Sequence, residues 1–180
     1  MDDIWPFARH APSVEDDDGD LARAAVEDRE AFAAIYERYR VPVFRYLRSR
    51  TPSDDDAEEL TAVTFERALR AIHRFRPSGG GMAAWLLRIA RNAHLDRVRS
   101  GARTAVMHVE PTRASPADDD VILRSLVDGL SESQRDAIQL RFAAGLTARE
   151  IGQVLGMTEA AAQKRIERAL KSLKEAYGVD

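Results

Sequence analysis

The sequence predicts an all-α fold made of two small helical domains joined by a flexible linker, and three observations support this. Apolar residues recur at spacings of three and four along most of the chain, which is the periodicity of amphipathic helices. No sustained stretch alternates between apolar and polar side chains, as a half-buried strand would. Residues 101–117 contain two prolines, one glycine and few large apolar side chains, which is typical of a linker.

Composition and charge exclude several classes of protein. The chain has 180 residues and no cysteine, which excludes a disulfide framework, a thiolate zinc site and a cysteine nucleophile. No apolar run approaches the roughly 18 residues that a membrane span needs, and the acidic start is unlike a secretory signal, so we expect a cytoplasmic chain. The net charge of −3 means that any DNA binding must come from local basic patches or be completed by a partner.

The first predicted elements are a tail and a helix. Residues 1–20 contain seven acidic residues and one arginine, which predicts a disordered acidic tail. A helical domain should follow over residues 21–100. Its first helix contains Pro42, which we expect to kink or divide it. The apolar residues of this helix recur at helical spacing: Phe32, Ile35, Tyr36, Tyr39, Val43 and Leu47.

Two further helices complete the first domain. The second should run from about Asp55 to Arg74, and its inward residues should be Leu60, Val63, Leu69, Ile72 and Phe75. Residues 77–81, Pro-Ser-Gly-Gly-Gly, predict a loop. The third helix should span about Met82 to Arg99, with one stripe that packs inward, namely Met82, Leu86, Ile89 and Ala93.

A second stripe of the third helix has the chemistry of a surface for melted DNA. It contains Arg88, Asn92, Leu95 and Arg99 and is flanked by Trp85 and Arg91. Phosphates need positive charge, and unstacked bases need a flat aromatic surface. The alternative is a core tryptophan beside solvated arginines.

The second domain, residues 118–180, is predicted to contain a helix-turn-helix. A helix marked by Val121, Ile122, Leu126 and Val127 should close at Leu130, before capping boxes at Ser131 with Gln134 and at Thr147 with Glu150. Gly152 lies where a second helix must approach closely, and Gly156 supplies the positive φ of a tight turn. The last helix, from Thr158 to about Leu173, should pack through Ile166, Ala169, Leu170 and Leu173. An αα-hairpin with a solvated basic face is the alternative.

The order of these motifs resembles the extracytoplasmic-function sigma factors of bacterial RNA polymerase. Residues 130–135, Leu-Ser-Glu-Ser-Gln-Arg, followed by Leu-Arg-Phe at 140–142 and the helix-turn-helix, resemble their domain four. Residues 56–61, 65–68 and 84–92 with Asp96 resemble their domain two. The resemblance implies that domain two binds the −10 promoter element and domain four the −35 element, once both are mounted on core RNA polymerase.

The resemblance also implies three sets of binding residues. The core-polymerase set is Asp55, Asp56, Glu58, Glu59, Leu60 and Phe65. The −10 set is Arg76, Ser78, Trp85, Arg88, Arg91, Asn92 and Arg99. The −35 set is Thr147, Thr158, Gln163, Lys164, Arg165, Arg168 and Lys171. In the family the loop at 77–81 captures a flipped −10 base. The acidic run at 54–59 has a plain alternative, because carboxylates at a helix start are favoured by the helix dipole.

No catalytic residue, metal site or cofactor is expected. The four histidines show no ligand spacing, and the glycines at 79–81 lack the Lys-Ser/Thr of a P-loop. The leading hypothesis is an alternative sigma factor that binds the β′ clamp and β subunits of core RNA polymerase, promoter DNA and an anti-sigma factor. Two alternatives remain: an autonomous helix-turn-helix regulator, and an interaction protein that mimics a sigma factor to titrate an anti-sigma factor.

Overall fold

The computed structural model describes residues 15–77, 80–104, 126–127 and 129–177. Within these residues the chain forms seven α-helices and one short 3-10 helix with no strand, which confirms the all-α prediction. The helices are α1 Glu15–Glu27, α2 Phe32–Arg48, α3 Asp54–Ala71, the 3-10 helix Ile72–Arg74, α4 Gly81–Thr104, α5 Glu132–Phe142, α6 Ala148–Leu155 and α7 Glu159–Tyr177. None of the described helices is both long enough and apolar enough to cross a membrane.

Helices α1 to α4 form the first module, in which α2, α3 and α4 pack against one another and α1 packs on α2. The predicted inward stripes of α2 and α4 supply much of its core. Their fully buried members are Ile35, Val43, Leu47, Met82 and Leu86. Tyr36 differs from the prediction, since it is 40% exposed and rests its ring edge-on against Phe65.

The predicted acidic tail is too long at its C-terminal end, because α1 begins at Glu15. Asp18 is buried, and its carboxylate accepts hydrogen bonds from the Tyr39 hydroxyl at 2.5 Å and from the Met82 N–H at 2.9 Å. This acidic residue is therefore part of the folded module. Residues 1–14 lie outside the described part of the chain.

Pro42 does not divide α2, which continues from Phe32 to Arg48. A proline inside a helix costs about 3 kcal/mol through its lost hydrogen bond and ring clash. Residues on both sides of it are buried against α3 and α4, including Ile35 and Tyr46. This tertiary packing holds the helix together across the proline.

Two predicted boundaries also shift. Helix α3 ends at Ala71 and the chain tightens into a 3-10 turn through Arg74. Helix α4 continues to Thr104, so the first residues of the predicted linker, including Gly101, are helical. Most of the helix predicted around Val121 and Ile122 lies outside the described residues.

Helices α5, α6 and α7 form the second module, in which α7 packs against both α5 and α6. Its core includes Leu140, Ile151, Ala162, Ile166 and Ala169. The expectation that Leu170 packs inward is wrong, since this side chain is 43% exposed. It lies about 100° around the helix from Ala169, outside the buried stripe.

The two modules are in contact, because α6 packs against α4. Polar side chains also cross between them. The guanidinium of Arg50, two residues after α2, donates to Asp136 of α5 at 2.5 Å, and the Gln139 amide donates to the backbone carbonyl of Ser49 at 2.9 Å.

Candidate nucleic-acid and polymerase interfaces

The helix-turn-helix is formed by α6, a glycine turn and α7. Thr147 caps α6, and its N–H donates to the Glu150 carboxylate at 2.7 Å in the predicted capping box. Gly156 ends α6 in the left-handed region with φ of 70°. A Cβ on Gly152 would lie 2.7 Å from the backbone oxygen of Met157, so the close approach predicted there is confirmed.

The face of α7 that leads into the groove in a helix-turn-helix carries most of the predicted −35 set. Gln163, Lys164, Arg168 and Lys171 are exposed, whereas Arg165 is half-buried. The Gln163 amide donates to Glu167 at 2.9 Å. The hydroxyls of Thr147 and Thr158 accept hydrogen bonds from backbone N–H groups of α6 and α7, so both threonines act as helix caps in this structure.

Helix α4 carries five of the seven residues of the predicted −10 set. Arg88, Asn92 and Arg99 are exposed. Trp85 is half-buried, and its ring meets Phe75 edge-on with centroids 5.5 Å apart. Ser78 lies outside the described residues.

Arg76 and Arg91, the other two described members of the −10 set, are already engaged. Arg76 donates to the carbonyl oxygens of His73 and Phe75, at 3.0 and 2.8 Å. Arg91 is bound to Asp136 of the second module through its Nε, at 3.0 Å.

A cleft of about 230 Å³ lies where the −10 face meets the second module. Three arginines and an aromatic ring dominate its lining, and α6 contributes one residue. The lining residues are Arg74, Arg76, Gly81, Ala84, Trp85, Arg88 and Gln153. This combination of positive charge and a flat ring suits a phosphate and an unstacked base.

The acidic start of α3 is partly neutralised by the chain itself. Ser53 caps the helix, and Asp56 pairs with Arg97 of α4, which also binds Glu59 at 2.6 Å. Asp55 and Glu58 are exposed and make no ion pair with any described residue. These two carboxylates are the most available part of the predicted polymerase-binding surface.

Leu60 and Phe65 do not belong to that surface as the structure stands. They are only 4% and 5% exposed and form part of the core of the first module. Phe65 packs edge-on against Phe32 and Tyr36. Tyr36 is the aromatic residue that is exposed at this place, and helical periodicity misses it because Tyr36 shares the spacing of the buried residues around it.

A buried polar cluster under the contact between modules was not predicted. Burial, followed by the charge of Arg50, lowers the pKa of His94 from 6.5 to about 4, so this imidazole is neutral at physiological pH. Burial also raises the pKa of the Tyr46 phenol. Within the described structure the Tyr46 hydroxyl, the Arg50 Nε and the His94 Nδ1 are buried without a hydrogen-bond partner. The sequence signal was Asp136, a carboxylate that helical spacing puts on the same face of α5 as the apolar Leu140.

Comparison with protein-family models identifies the class of protein to which this chain belongs. The family model for sigma-70 region 2 matches residues 35–104, and the model for sigma-70 region 4 matches residues 120–173. The first match covers most of α2 and all of α3 and α4, and the second covers α5, α6 and most of α7. The chain is thus a protein of the sigma-70 class with regions 2 and 4.

Two relatives identify the family of this chain within the sigma-70 class. It is 31% identical over 172 residues to the ECF RNA polymerase sigma factor SigK of Mycobacterium sp. (strain KMS), an alignment that covers 88% of this chain and 89% of that protein. It is 34% identical over 165 residues to the ECF RNA polymerase sigma factor BldN of Streptomyces coelicolor, over 85% of this chain and 62% of that one. The chain belongs to the family of ECF RNA polymerase sigma factors.

Two solved structures share its fold. CnrH, in complex with the cytosolic domain of CnrY, matches with a TM-score of 0.70 and 27% identity over 89% of this chain and 97% of that one. The sigma factor RpoE from Bartonella quintana, in complex with the anti-sigma factor NepR, matches with a TM-score of 0.68 and 26% identity over 83% of this chain and 98% of that one.

Proposed function

We propose that this sigma factor binds core RNA polymerase, directs it to a particular set of promoters and assists melting of the −10 region. The observation that supports the proposal is the presence of two separate faces on one acidic chain whose exposed side chains suit DNA. One is the arginine- and tryptophan-bearing face of α4, and the other is the exposed cationic face of α7. A net charge of −3 fits a protein whose DNA affinity is completed by a larger partner. Polymerisation chemistry belongs to that partner, and this chain supplies recognition.

Recognition of the −35 element should depend on a few side chains of α7. The exposed Ala160 and Ala161 at the start of this helix offer only apolar contact to thymine methyl groups. Direct base contacts then fall to Gln163, which can pair bidentately with adenine, and to Lys164 or Arg168, which can pair with guanine. Arg165, which is half-buried, should lie between the module's packing surface and the DNA phosphates.

The substitution Gln163→Ala tests this assignment. It should cost about 1–3 kcal/mol at one −35 position and relax specificity there. Lys171→Ala is the matched control, because a phosphate contact should weaken all promoters alike and lower the salt dependence by about one contact. Transcription from a library of −35 variants measures both effects. Equal loss at every promoter for Gln163→Ala would show that Gln163 contacts the backbone.

Recognition of the −10 element should use the cleft at Trp85. Arg88 and Asn92 lie one and two turns further along α4 and are free to meet phosphates and base edges. Trp85→Ala should reduce open-complex formation on duplex promoters more than on pre-melted templates, because its ring supports unstacked bases. Equal loss on both templates would assign Trp85 to the core of the module.

Docking on polymerase should use the acidic start of α3. Exchanging Asp55 and Glu58 for lysine should weaken binding to core polymerase and leave the fold intact, since both are exposed and each contributes at most about 1 kcal/mol to the helix. Exchanging Glu27 and Glu30 for lysine is the matched double reversal, since both are exposed and lie outside the acidic run. The docking role would be refuted if the Asp55/Glu58 variant retained core polymerase at wild-type levels while its circular dichroism remained native.

Transcription in vitro tests the whole proposal. Core polymerase should start at specific promoters only when this chain is added, and the chain alone should bind promoter duplex poorly at physiological salt. Tight, sequence-specific binding by the chain alone would favour an autonomous regulator. Binding to an anti-sigma factor without any activation of core polymerase would favour a mimic. The relatives solved with CnrY and NepR support the further proposal that an anti-sigma protein regulates this chain.

A further inference from the structure

We propose that α1 takes part in −10 recognition, and that Asp18 is a positioning residue that fixes the first turn of α4 and, through it, the ring of Trp85. The inference rests on the proposed function, because it takes the Trp85 face of α4 as the surface for melted DNA. The match to sigma-70 region 2 begins at residue 35 and therefore leaves out α1, which ends at Glu27. The contacts of this helix with the described residues around α4 carry the proposal.

The carboxylate of Asp18 connects α1 to two other helices. Asp18 is only 4% exposed. One oxygen, Oδ1, accepts a hydrogen bond from the Tyr39 hydroxyl of α2 at 2.5 Å and lies 3.8 Å from the Arg38 guanidinium. The other, Oδ2, accepts from the backbone N–H of Met82 in the first turn of α4 at 2.9 Å. The first N–H groups of a helix lack partners within it, so Asp18 gives α4 from outside the acceptor that a capping side chain usually provides.

Tyr39 fixes the orientation of this carboxylate. Burial, followed by the hydrogen bond to Asp18, raises the pKa of the Tyr39 phenol, so the hydroxyl keeps its proton and remains a donor. A hydrogen bond to a charged acceptor is stronger than one between neutral groups. With Oδ1 held by Tyr39, Oδ2 is left to face the start of α4. The position of α4 relative to α2 is thus set by two hydrogen bonds to one buried group of α1.

Two glycines show how closely α1 approaches the residues at the start of α4 and just before it. Gly81, the first residue of α4, has φ of 60°, and a Cβ there would lie 3.0 Å from Asp18 Oδ2. A Cβ on Gly19 of α1 would lie 3.3 Å from Cγ of Pro77. Both distances are shorter than ordinary van der Waals contact, so these segments pack directly, without side chains between them. Neighbouring residues of α1 therefore hold Pro77 and the first residue of α4 at the same time.

These contacts reach Trp85 over a short distance. Trp85 follows Met82 by three residues, which is about one turn of α4. Its ring meets Phe75 edge-on with centroids 5.5 Å apart, and Phe75 directly follows the 3-10 helix. Helix α1 packs against both the 3-10 helix and α4, so it supports the helix that carries the ring and the segment against which the ring rests. A ring that is held in place before DNA arrives loses less conformational entropy when a base stacks on it.

The fluorescence of Trp85 separates a positioning role from a purely stabilising one. The chain contains two tryptophans, Trp5 and Trp85, so Trp5→Phe leaves Trp85 as the only one. This variant of the full chain is the reference protein. Its emission maximum without DNA reports the surroundings of the ring. Quenching by a mixed-sequence single-stranded oligonucleotide reports the stacking of bases on the ring and gives an affinity.

Asp18→Ala in the reference protein removes the acceptor from Met82. We expect the emission of Trp85 to shift to longer wavelength and the oligonucleotide to bind about five- to tenfold more weakly, as for partial loss of one base-stacking contact. Asp18→Asn keeps an oxygen that can accept from Met82, and it should restore most of the affinity. Tyr39→Phe frees the carboxylate but leaves its bond to Met82, and it should give an intermediate loss.

Leu47→Val is the matched control for stability. Leu47 is fully buried in α2, two turns beyond Tyr39, and the loss of a methylene group there lowers the stability of the same module. Urea unfolding measures the loss of stability in this variant and in Asp18→Ala. Leu47→Val should leave the emission maximum unchanged and should alter the oligonucleotide affinity less than about twofold, because it does not touch the supports of the ring.

The proposal would be overturned if Asp18→Ala kept the emission maximum and the affinity of the reference protein, since the ring would then not depend on Asp18. Equal changes in Leu47→Val at an equal loss of stability would also overturn it, because any loosening of the module would then have the same effect. If the oligonucleotide failed to quench the reference protein, the proposed DNA-binding role of Trp85 would be wrong. The emission maxima without DNA would still show whether Asp18 positions the ring.

Discussion

Replacing Gly152 by alanine should destabilise the second module, although alanine is the better helix former. A Cβ at this position would lie 2.7 Å from the Met157 oxygen, 3.3 Å from the Thr158 carbonyl carbon and 3.4 Å from the Glu159 nitrogen. All three are backbone atoms of a turn that is tied down by a 2.8 Å hydrogen bond from the Met157 N–H to the Gly152 carbonyl. The new methyl group therefore has no flexible neighbour that could move aside.

The two opposing contributions can be compared. Alanine gains about 1 kcal/mol of helix propensity over glycine. Overpacking costs typically about 1–3 kcal/mol, and the upper half of that range applies where backbone must shift. We expect a net loss of about 1–2 kcal/mol, which for a chain of this size lowers the melting temperature by about 2–8 °C.

Gly101→Ala supplies the matched comparison. Gly101 is also helical, and a Cβ there would meet no heavy atom within 4 Å. This variant should gain about 0.5–1 kcal/mol. Calorimetry or urea unfolding of both variants isolates the steric contribution, since the propensity gain is common to both. A Gly152→Ala protein as stable as Gly101→Ala would refute the argument.

Three further predictions concern stability. The pKa of His94 falls from 6.5 to about 4 on folding, so the unfolded chain binds more protons between these values and stability should drop by about 3 kcal/mol as the pH is lowered through them. Thermal melts of His94→Gln should show a smaller loss of stability as the pH is lowered. A pH profile identical to that of the wild type would contradict this. Asp18→Ala leaves the buried N–H of Met82 without its acceptor and should cost about 1–3 kcal/mol, with faster amide exchange at Met82. Asp18→Asn should lose less stability. Equal amide exchange at Met82 in the wild type, Asp18→Ala and Asp18→Asn would argue against this hydrogen bond. Thr147→Ala should cost about 1 kcal/mol in urea unfolding, and no loss would mean that the capping box adds nothing.

The order of the helices could be predicted from the sequence because each rule involved was local. Ser131 with Gln134 and Thr147 with Glu150 identify helix starts through contacts three residues apart. Gly156 identifies a turn through its own backbone angle. These features do not depend on how the helices pack.

The incorrect predictions arise from contacts between residues that are distant in the sequence, which local rules do not describe. Asp18 looked like part of a charged tail because its partners, Tyr39 and Met82, are far along the chain. Phe65 was assigned to the polymerase-binding set through the family resemblance, which does not show that its ring packs against Phe32 and Tyr36. The contacts of Asp136 were missed for the same reason, as Arg50 lies 86 residues away.

Arg91 and Asp136, which join the two modules, are far apart in the sequence. This separation also sets the order in which parts of the fold form during synthesis. Asp136 is made 45 residues after Arg91, which at bacterial or eukaryotic elongation rates is a delay of about 2–9 s. Helices α2, α3 and α4 pack within microseconds to milliseconds, since their contacts are local. The newborn first module therefore exists for seconds with Arg50 and Arg91 uncovered. It acquires its carboxylate only when α5 emerges, so the contact between modules forms after the first module has already folded.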